Sequence, residues 1–531
     1  MSIRKSASTI AVASLTSRAL GFVKFSLAVF AIGGTSATVG GQAFDIASTL
    51  PGNLYGLIAG GVLGAILVPQ VVKAIKDGAA GQERIDRLLT LTLGGALVVT
   101  VLLTFAAPAL VFLYASGWSA EWLALSSAMA YWCLPQIFFY VVYAVLSQVL
   151  NAKSVFGWPA WAPAISNVVA IISLIIFLVF APDGHGPVES WTPGMIALLC
   201  GGATLSIAVQ SVVLLVPLKR VGFRFRPRWG VEGLGSASRT ALWTFMGVAA
   251  GQVAYLAISN VSSRAGQELN ELGIDGAGLN SYGYAFLLVF LPHGVATVSL
   301  ATAMFTRLSQ AAAVDAFEEV RTNLIRTSTL VSFICVGATV YFVVTGPLIT
   351  EILWNTPVIG QVVQPLALGI LGISQTYVFS RGLFAFHDGR GPFLGQVAGA
   401  IVTATGSLLS GLFLPPEWVV FGVSLSSAAA NTLSWAVVHA AMKTRIRRGL
   451  HAPVSLSAPP RFRVALAASA AAALLIGWAL IVWLSPGEDG TLWMRIIVLA
   501  VISLVMGGTY TGVSYLLGRD VIWRDLVLRR R

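Results

Sequence analysis

Residues 13–30 read "ASLTSRALGFVKFSLAVF", an apolar stretch that nevertheless contains Arg18 and Lys24. On insertion scales, a cation at the centre of a lipid bilayer costs about 2.5 to 3.5 kcal/mol. The whole chain is similarly apolar: 56% of its 531 residues are hydrophobic and only 10% are charged. Soluble domains average about 25% charged residues. The sequence therefore predicts a membrane protein. The insertion cost of the two cations indicates that they have a structural or functional role in the first helix.

Apolar runs of membrane-spanning length recur along the chain. An α-helix needs about 20 mostly apolar residues to cross the bilayer. Fourteen such spans are predicted, near residues 8–32, 42–72, 88–116, 121–150, 156–181, 192–217, 237–262, 281–308, 325–350, 361–386, 393–414, 417–442, 462–484 and 493–517. The predicted fold class is an all-α polytopic membrane protein with about 14 transmembrane helices.

The positive charges lie mostly on one side of this predicted topology. With the N-terminus inside, all but four of the 33 Lys and Arg residues fall in segments on the inner side. The four exceptions are Arg18, Lys24, Arg264 and Arg495. Because positive residues mark cytoplasmic loops, the pattern predicts a multi-pass protein of the inner (cytoplasmic) membrane with both termini in the cytoplasm. The net charge of +12 then needs no nucleic-acid partner, although the clusters 219–228 and 443–463 could also attract anionic lipids or a protein.

The remaining chemistry-bearing residues point away from catalysis. Cys133, Cys200 and Cys335 lie in apolar runs at spacings that match neither a disulfide framework nor a zinc site. The five histidines are scattered, and no G-x-x-x-x-G-K-[ST] motif for ATP phosphates occurs. We therefore expect no metal, no cofactor and no enzymatic activity.

An internal repeat divides the chain. Residues 150–159, "LNAKSVFGWP", resemble residues 383–392, "LFAFHDGRGP", at an offset of 233, and two further matches have offsets near 236 and 241. An even number of intervening spans makes the two halves parallel. We expect a first six-helix lobe at 1–230, a second at 231–450, and two additional helices with a short basic tail at 451–531. Transporters with such repeats hold their substrate between the repeats.

Four segments resemble one known family. They are "SRALGFVK" (17–24), "AFDIASTLPGNLYGLIAGGVLGAILVPQVVKAI" (43–75), "VLNAKSVFGWPAWAPAISNVVAII" (149–172) and "YAFLLVFLPHGVATVSLATAMFTRLS" (284–309). These resemble the MurJ/MviN lipid II flippases of the multidrug/oligosaccharidyl-lipid/polysaccharide (MOP) exporter superfamily. The resemblance implies that the chain moves lipid II, an undecaprenyl-pyrophosphate-linked glycopeptide, from the inner to the outer leaflet by alternating access. It also implies a basic cavity for the pyrophosphate and a groove beside spans 13 and 14 for the polyprenyl tail.

The chain departs from the family pattern at charged positions. Arg18 matches a family arginine, whereas Lys24 stands where a second arginine is usual. The acid near the start of the family's second helix falls on Gln42, with Asp45 one turn further on. If the chain has the cavity that the resemblance implies, these departures give that cavity fewer charged residues than is usual in the family.

Arg18 and Lys24 are the first substrate-binding candidates. Arg18 lies about 15 Å into the first span, and its guanidinium suits bidentate contact with phosphate. The structural alternative is an Arg bound to backbone carbonyls or to Asp45. Lys24 lies about 9 Å further along and about 120° around the helix, so it could border the same wide cavity or extend to the outer interface.

Four polar residues complete the candidate site. Apart from Glu121 at the very start of the span 121–150, Asp45 is the only acid in a predicted span of the first half, and an ion pair with Arg18 or Lys24 is its expected role. Asn53 follows a proline break in the second span. Gln252 and Asn260, in the seventh span, could line the opposite lobe or make interhelical hydrogen bonds.

Two other functions fit the same observations. One is export of another polyprenyl-linked oligosaccharide, which the weakly charged cavity allows. The other is a membrane scaffold that does not transport and that recruits cell-wall synthesis proteins through its basic loops. The expected partners are thus lipid II, anionic membrane lipids and cell-wall synthesis proteins.

Overall fold

The computed structural model describes residues 3–58, 78–181, 183–223, 225–230, 239–484, 487 and 490–518. Across these residues the chain is helical and contains no strand, which confirms the predicted all-α class. The second half of the predicted span 42–72 lies outside the described residues, as does most of the basic tail.

The chain forms two compact units, and the first comprises Met1–Gln252 and Gly266–Ile274. Its helices are α1 (Ile3–Ile32), α2 (Val39–Ile58), α3 (Gly78–Phe105), α4 (Ala107–Tyr114), α5 (Ala120–Cys133), α6 (Gln136–Ala152), α7 (Gly157–Phe180), α8 (Pro193–Val212) and α9 (Leu215–Arg220). Helix α10 (Arg239–Glu271) contributes segments to both units. The lobe boundaries predicted at 230 and 450 stay a prediction.

The second unit comprises Val253–Ala265 and Asp275–Arg531. Its helices are α11 (Leu279–Pro292), α12 (Val298–Ala313), α13 (Phe317–Trp354), α14 (Val358–Ala367), α15 (Ile370–Ala385), α16 (Arg390–Phe413), α17 (Pro416–Leu450), α18 (Pro460–Leu484) and α19 (Leu492–Gly518). A π-turn at His293–Thr297 joins α11 to α12.

Several predicted spans are broken rather than continuous helices. Span 3 divides into α3 and α4 just before Pro108, and span 4 divides into α5 and α6 at Pro135. Proline causes both breaks because it has no N–H to donate to the preceding turn. Span 10 bends by 45° between α14 and α15. Gly369 lies at this bend, where an added Cβ would come within 2.9 Å of the Ala428 Cα.

The predicted count of 14 spans is not confirmed. Eleven helices, or up to twelve if the bent pair is one span, are long and apolar enough to cross a membrane among the described residues. The two segments that do not qualify are α2 and α17. The predicted span containing α2 continues beyond the described residues, and α17 is rich in Ser and Ala and ends in a basic segment.

The surface is apolar, as expected for helices that face lipid. Phe105, Phe180 and Trp483 are more than 70% exposed. Close contacts inside the units use small residues instead: a Cβ at Gly372 would lie 2.7 Å from the Asn431 backbone. Small residues let helix backbones approach in the absence of a hydrophobic driving force between them.

Candidate functional site

Helix α1 packs against α7, and one side-chain hydrogen bond fixes the middle of this contact. Asn167 on α7 donates from Nδ2 to the Ser17 carbonyl oxygen at 2.8 Å, and Nδ2 lies 3.4 Å from Ser17 Oγ. Gly21, one turn further along α1, lies beside this amide, and a Cβ there would be in ordinary van der Waals contact with Nδ2 at 3.5 Å. The bond holds the turn of α1 that precedes Arg18.

The Arg18 side chain projects from a different face of α1 than the one on which Ser17 contacts Asn167 of α7. Successive side chains on a helix are about 100° apart, so Arg18 points away from the direction of Ser17. Arg18 is exposed, and it has no hydrogen bond or ion pair within the described part of the chain. It also lies 14 residues before the helix end at Ile32, which is about 21 Å along the axis. A guanidinium with five donors therefore lies near the middle of a membrane-spanning helix, where a ligand or water must satisfy it.

Lys24 differs from Arg18 because it has a local partner. It is half-buried, and its Nζ lies 4.5 Å from the centre of the Phe25 ring. A cation over an aromatic face gains about 0.5 to 1 kcal/mol at exposed sites. The alternative that Lys24 extends to the outer interface, and does not border the substrate cavity, therefore stays open.

Asp45 does not form the predicted ion pair. Across the described residues, the structure has no salt bridge between its carboxylate and either Arg18 or Lys24. Its backbone carbonyl accepts a bond from Ser48 Oγ at 3.4 Å, within the same helix. The expectation of an ion pair was wrong for this conformation because half-buried Asp45 lies on α2 and α1 packs chiefly against α7.

Asn53 lies two turns beyond Asp45 on α2 and beside Tyr114 of α4. The expected proline break before Asn53 was wrong, because α2 continues as a helix from Val39 to Ile58 with Pro51 inside it. Its Nδ2 is buried and makes no hydrogen bond of good geometry within the described part of the protein, although the Tyr114 hydroxyl lies close to the amide. An unpaired buried donor costs about 1 to 3 kcal/mol, which a ligand acceptor could recover. Asn53 thus remains a candidate for substrate contact.

Gln252 and Asn260 differ in their surroundings although both lie on α10. The Gln252 Oε1 is buried without a partner among the described residues, and Gln252 belongs to the first unit. Asn260 belongs to the second unit, where its Nδ2 donates to the Leu256 carbonyl of the same helix at 2.9 Å. Gln252 therefore keeps an acceptor for a ligand, whereas the Asn260 amide is held by its own helix.

A polar cluster in the first unit was missed by sequence reasoning. It joins the loop before α2 to the end of α10: Ser36 Oγ donates to the Ile274 carbonyl at 3.0 Å, and Asn270 Nδ2 donates to the Ser36 carbonyl at 2.9 Å. Gly266 packs on Gln42 so closely that a Cβ there would overlap the Gln42 Oε1. We call residues 33–42 together with 266–274 the terminal clasp. Its partners are more than 220 residues apart in sequence, so local patterns give no signal for it.

The second unit contains a cavity of about 300 Å³ between α13, α18 and α19. Tyr341, Met506 and Tyr510 line it together with glycine and alanine positions. Tyr510 donates to the Phe333 carbonyl at 2.6 Å, and the Tyr341 hydroxyl lies 2.9 Å from Ser503 Oγ. With both hydroxyl groups occupied by protein partners, the cavity presents mainly apolar surface.

No group of three or more His, Cys, Asp or Glu side chains that could hold a metal ion occurs among the described residues. In the first unit, the described residues offer an exposed guanidinium at Arg18 and unpaired buried amide atoms at Asn53 and Gln252, which suit an anionic ligand. The second unit, taken by itself, offers an apolar cavity that suits an apolar chain.

Asn167 should act as a positioning residue for Arg18. We expect Asn167→Ala to lower the affinity for the anionic ligand of this site about threefold, since interhelical hydrogen bonds in membranes average about 0.6 kcal/mol. Ser173→Ala on the same helix is the matched control, because its hydroxyl donates to the Val169 carbonyl of α7 itself at 3.0 Å and to nothing else among the described residues. Titration of the purified variants with ligand, alongside their melting temperatures, tests this. The role would be contradicted if Asn167→Ala and Ser173→Ala bound the ligand with equal affinity. It would also be contradicted if the lower affinity of Asn167→Ala came with a lower melting temperature, since the loss would then reflect the stability of the fold.

Comparison with known proteins gives one consistent result. The family model described as "Lipid II flippase MurJ" matches residues 32–503. A probable lipid II flippase MurJ of Rhizobium tropici is 26% identical over 538 residues, which cover 98% of this chain and 95% of the relative. The lipid II flippase MurJ of Burkholderia cenocepacia is 25% identical over 545 residues, covering 98% of both chains.

Solved structures show the same fold. "Lipid II flippase MurJ, inward closed conformation" has a TM-score of 0.70 at 17% identity, covering 95% of this chain and 98% of that one. An inward-facing multidrug resistance MATE family transporter of the MOP superfamily has a TM-score of 0.54 at 18% identity, covering 86% and 97%. At these identities the likeness concerns the fold.

Proposed function

This chain belongs to the MurJ family of lipid II flippases, and we propose that it carries the lipid II pyrophosphate across the membrane at Arg18. It is a transporter of the inner membrane and not an enzyme. One observation carries the proposed site. The Arg18 guanidinium is exposed on a membrane-spanning helix and has no partner within the described part of the chain. The resemblance at "SRALGFVK" supports the same residue.

The pyrophosphate and the guanidinium match in charge and geometry. The planar fork of Arg18 can donate two parallel hydrogen bonds to phosphate oxygens, and such charge-assisted bonds are about twice as strong as neutral ones. The low dielectric of the membrane strengthens the contact further. Lys24, about 9 Å along the same helix, would meet the anion later in its passage.

The apolar cavity between α13, α18 and α19 is our candidate for the polyprenyl tail. Its lining by Tyr341, Met506 and Tyr510 offers contact surface without an unpaired charge. A lipid chain bound there would remain in an apolar environment while the headgroup moves. The tail would thus need no polar passage.

The terminal clasp is our candidate for the contact that alternates. We propose that its hydrogen bonds to Ser36 hold the predicted outer ends together while substrate loads from the inner side. Release to the outer leaflet would require these bonds to break. Two or three bonds of about 1 kcal/mol each suit a reversible transition of a few kcal/mol.

We further propose that both termini are cytoplasmic, which the distribution of Lys and Arg supports. The basic loops would then face the anionic inner leaflet. Cell-wall synthesis proteins are candidate partners for the same loops.

Complementation tests the function itself. In cells depleted of their own lipid II flippase, expression of this chain is expected to restore growth and to return outer-leaflet lipid II to normal levels. An empty vector and an Arg18→Ala chain at equal abundance are the controls. Failure to restore lipid II export, with rescue of a strain that lacks a different polyprenyl-glycan exporter, would assign the other substrate class. Rescue by the Arg18→Ala, Lys24→Ala double variant would favour the scaffold.

A further inference from the structure

The first unit contains a cavity of about 520 Å³ that the transport account does not use. Its walls come from the loop before α7 and the first turns of α7, including Phe156, Trp158, Trp161 and Ile165, and from Thr9 of α1. Thr9 lies nine residues before Arg18, about 14 Å along the helix. The volume is within the range of small-molecule sites, and the walls are largely aromatic and aliphatic.

The cavity lies where helices end rather than where they cross the bilayer. Gly157 is the first residue of α7, and Thr9 is near the beginning of α1. Phe156 and Trp161 are 36% and 38% exposed, as expected of aromatic side chains in the headgroup region. In the proposed orientation this is the level of the inner-leaflet headgroups.

Two cations lie next to the cavity. The Arg220 guanidinium carbon is 5.9 Å from the centre of the Trp158 ring, and Trp158 is a wall residue. Lys153 directly precedes the wall segment that begins at Ser154, and its Nζ is 5.9 Å from the centre of the Phe223 ring. Neither cation has an ion pair within the described part of the chain.

The sequence around these cations offers no acid to neutralise them. Residues 122–182 and 190–231 contain no Asp or Glu. Arg228, further along the same basic cluster, is different because its Nη1 pairs with Glu83 at 2.6 Å. Lys153, next in sequence to the wall residue Ser154, and Arg220, which lies over the wall residue Trp158, therefore carry positive charge that no nearby acid in the sequence offsets.

We propose that this cavity binds an anionic diacylglycerophospholipid of the inner leaflet. An acyl chain would occupy the space beside Trp158 and Trp161, and the phosphate would contact Lys153 and Arg220. The apolar cavity matches the acyl chain of such a lipid. The headgroup-level position and the cations without an acidic partner match its phosphate. The proposal rests on the proposed orientation and not on the identity of the transported lipid.

Binding to the purified full-length protein tests the site. The probes are phosphatidylglycerol and phosphatidylcholine with the same acyl chains, and native mass spectrometry counts the lipids retained. We expect tighter retention of phosphatidylglycerol. The Lys153→Ala, Arg220→Ala double variant should lose about 25-fold in affinity for it, at about fivefold per cation, and lose less for phosphatidylcholine, whose choline cation offsets the charge of its phosphate.

Two further variants separate the cavity from the charge. Gly157 lines the cavity and a Cβ there meets nothing within 4 Å, so Gly157→Leu should occupy part of the cavity and lower retention of both lipids. Arg307→Ala is the matched charge control: Arg307 is exposed on α12 in the second unit and lies outside the basic clusters 219–228 and 443–463, so its loss should leave retention unchanged.

Three outcomes would overturn the proposal. They are unchanged phosphatidylglycerol binding in the double variant, an equal loss in Arg307→Ala, and one-for-one displacement of the phospholipid by a polyprenyl pyrophosphate. The last would assign the cavity to the transported lipid. Because the readout is phospholipid retention, failure of lipid II transport leaves this test intact.

Discussion

Arg18→Ala is expected to reduce lipid II flipping about 100-fold while the protein still reaches the membrane in normal amount. Two charge-assisted hydrogen bonds to phosphate account for about 3 kcal/mol, and each 1.4 kcal/mol is tenfold. Abundance should hold because Arg18 has no partner in the described part of the chain, and because removing a cation relieves an insertion cost of about 2.5 to 3.5 kcal/mol. Membrane immunoblots and outer-leaflet lipid II are measured together.

Two matched variants sharpen this result. Arg18→Lys should recover only part of the activity, since an ammonium keeps the charge but lacks the planar fork. Lys24→Ala should have a milder effect than Arg18→Ala, because the Lys24 ammonium already has a cation–π contact with the Phe25 ring. Full activity of Arg18→Ala, or a loss that follows disappearance of the protein, would show that Arg18 does not bind substrate.

Gly266→Ala is expected to open the terminal clasp and to shift the protein away from the conformation seen here. The added Cβ would overlap the Gln42 Oε1, and Gln42 cannot turn into solvent because it is fully buried. Overpacking of this kind costs about 1 to 3 kcal/mol, which changes a conformational equilibrium about 5- to 150-fold. Hydrogen–deuterium exchange should become faster at residues 33–42 and 266–274, and the flipping rate should fall.

Gly251→Ala is the control on the same helix, because a Cβ there meets nothing within 4 Å. It should leave exchange and flipping unchanged. If hydrogen–deuterium exchange at residues 33–42 and 266–274 is the same in Gly266→Ala as in Gly251→Ala, the terminal clasp does not hold the predicted outer ends together. If exchange is faster throughout the first unit, the substitution has destabilised the fold instead.

The helical class and the position of Arg18 could be predicted from the sequence because both depend on local composition. A cation inside an apolar run is visible without any tertiary information, and so are Pro108 and Pro135, which break the helices of spans 3 and 4. The number of spans was less predictable. Helix α17 has the length of a span but owes its low hydropathy to small residues that pack against neighbouring helices.

The surroundings of the site depend on distant residues, which is why sequence reasoning missed them. Asn167 bonds to Ser17 across 150 positions, and Ser36 bonds to Ile274 across 238. One signal was available: an Asn in a span as apolar as α7 needs a partner, because an unpaired amide in the membrane is costly. The partner itself could not be named. The same limit explains the wrong ion pair for Asp45, since charge alone does not show which helices meet.

The most direct test is lipid II flipping by the purified protein in liposomes. Lipid II with a fluorescent headgroup is placed in both leaflets, and a membrane-impermeant quencher is added outside. We predict that the native chain exposes the inner-leaflet pool and that Arg18→Ala, reconstituted at equal density, exposes it about 100-fold more slowly. Equal rates for the native chain, Arg18→Ala and protein-free liposomes would contradict the account.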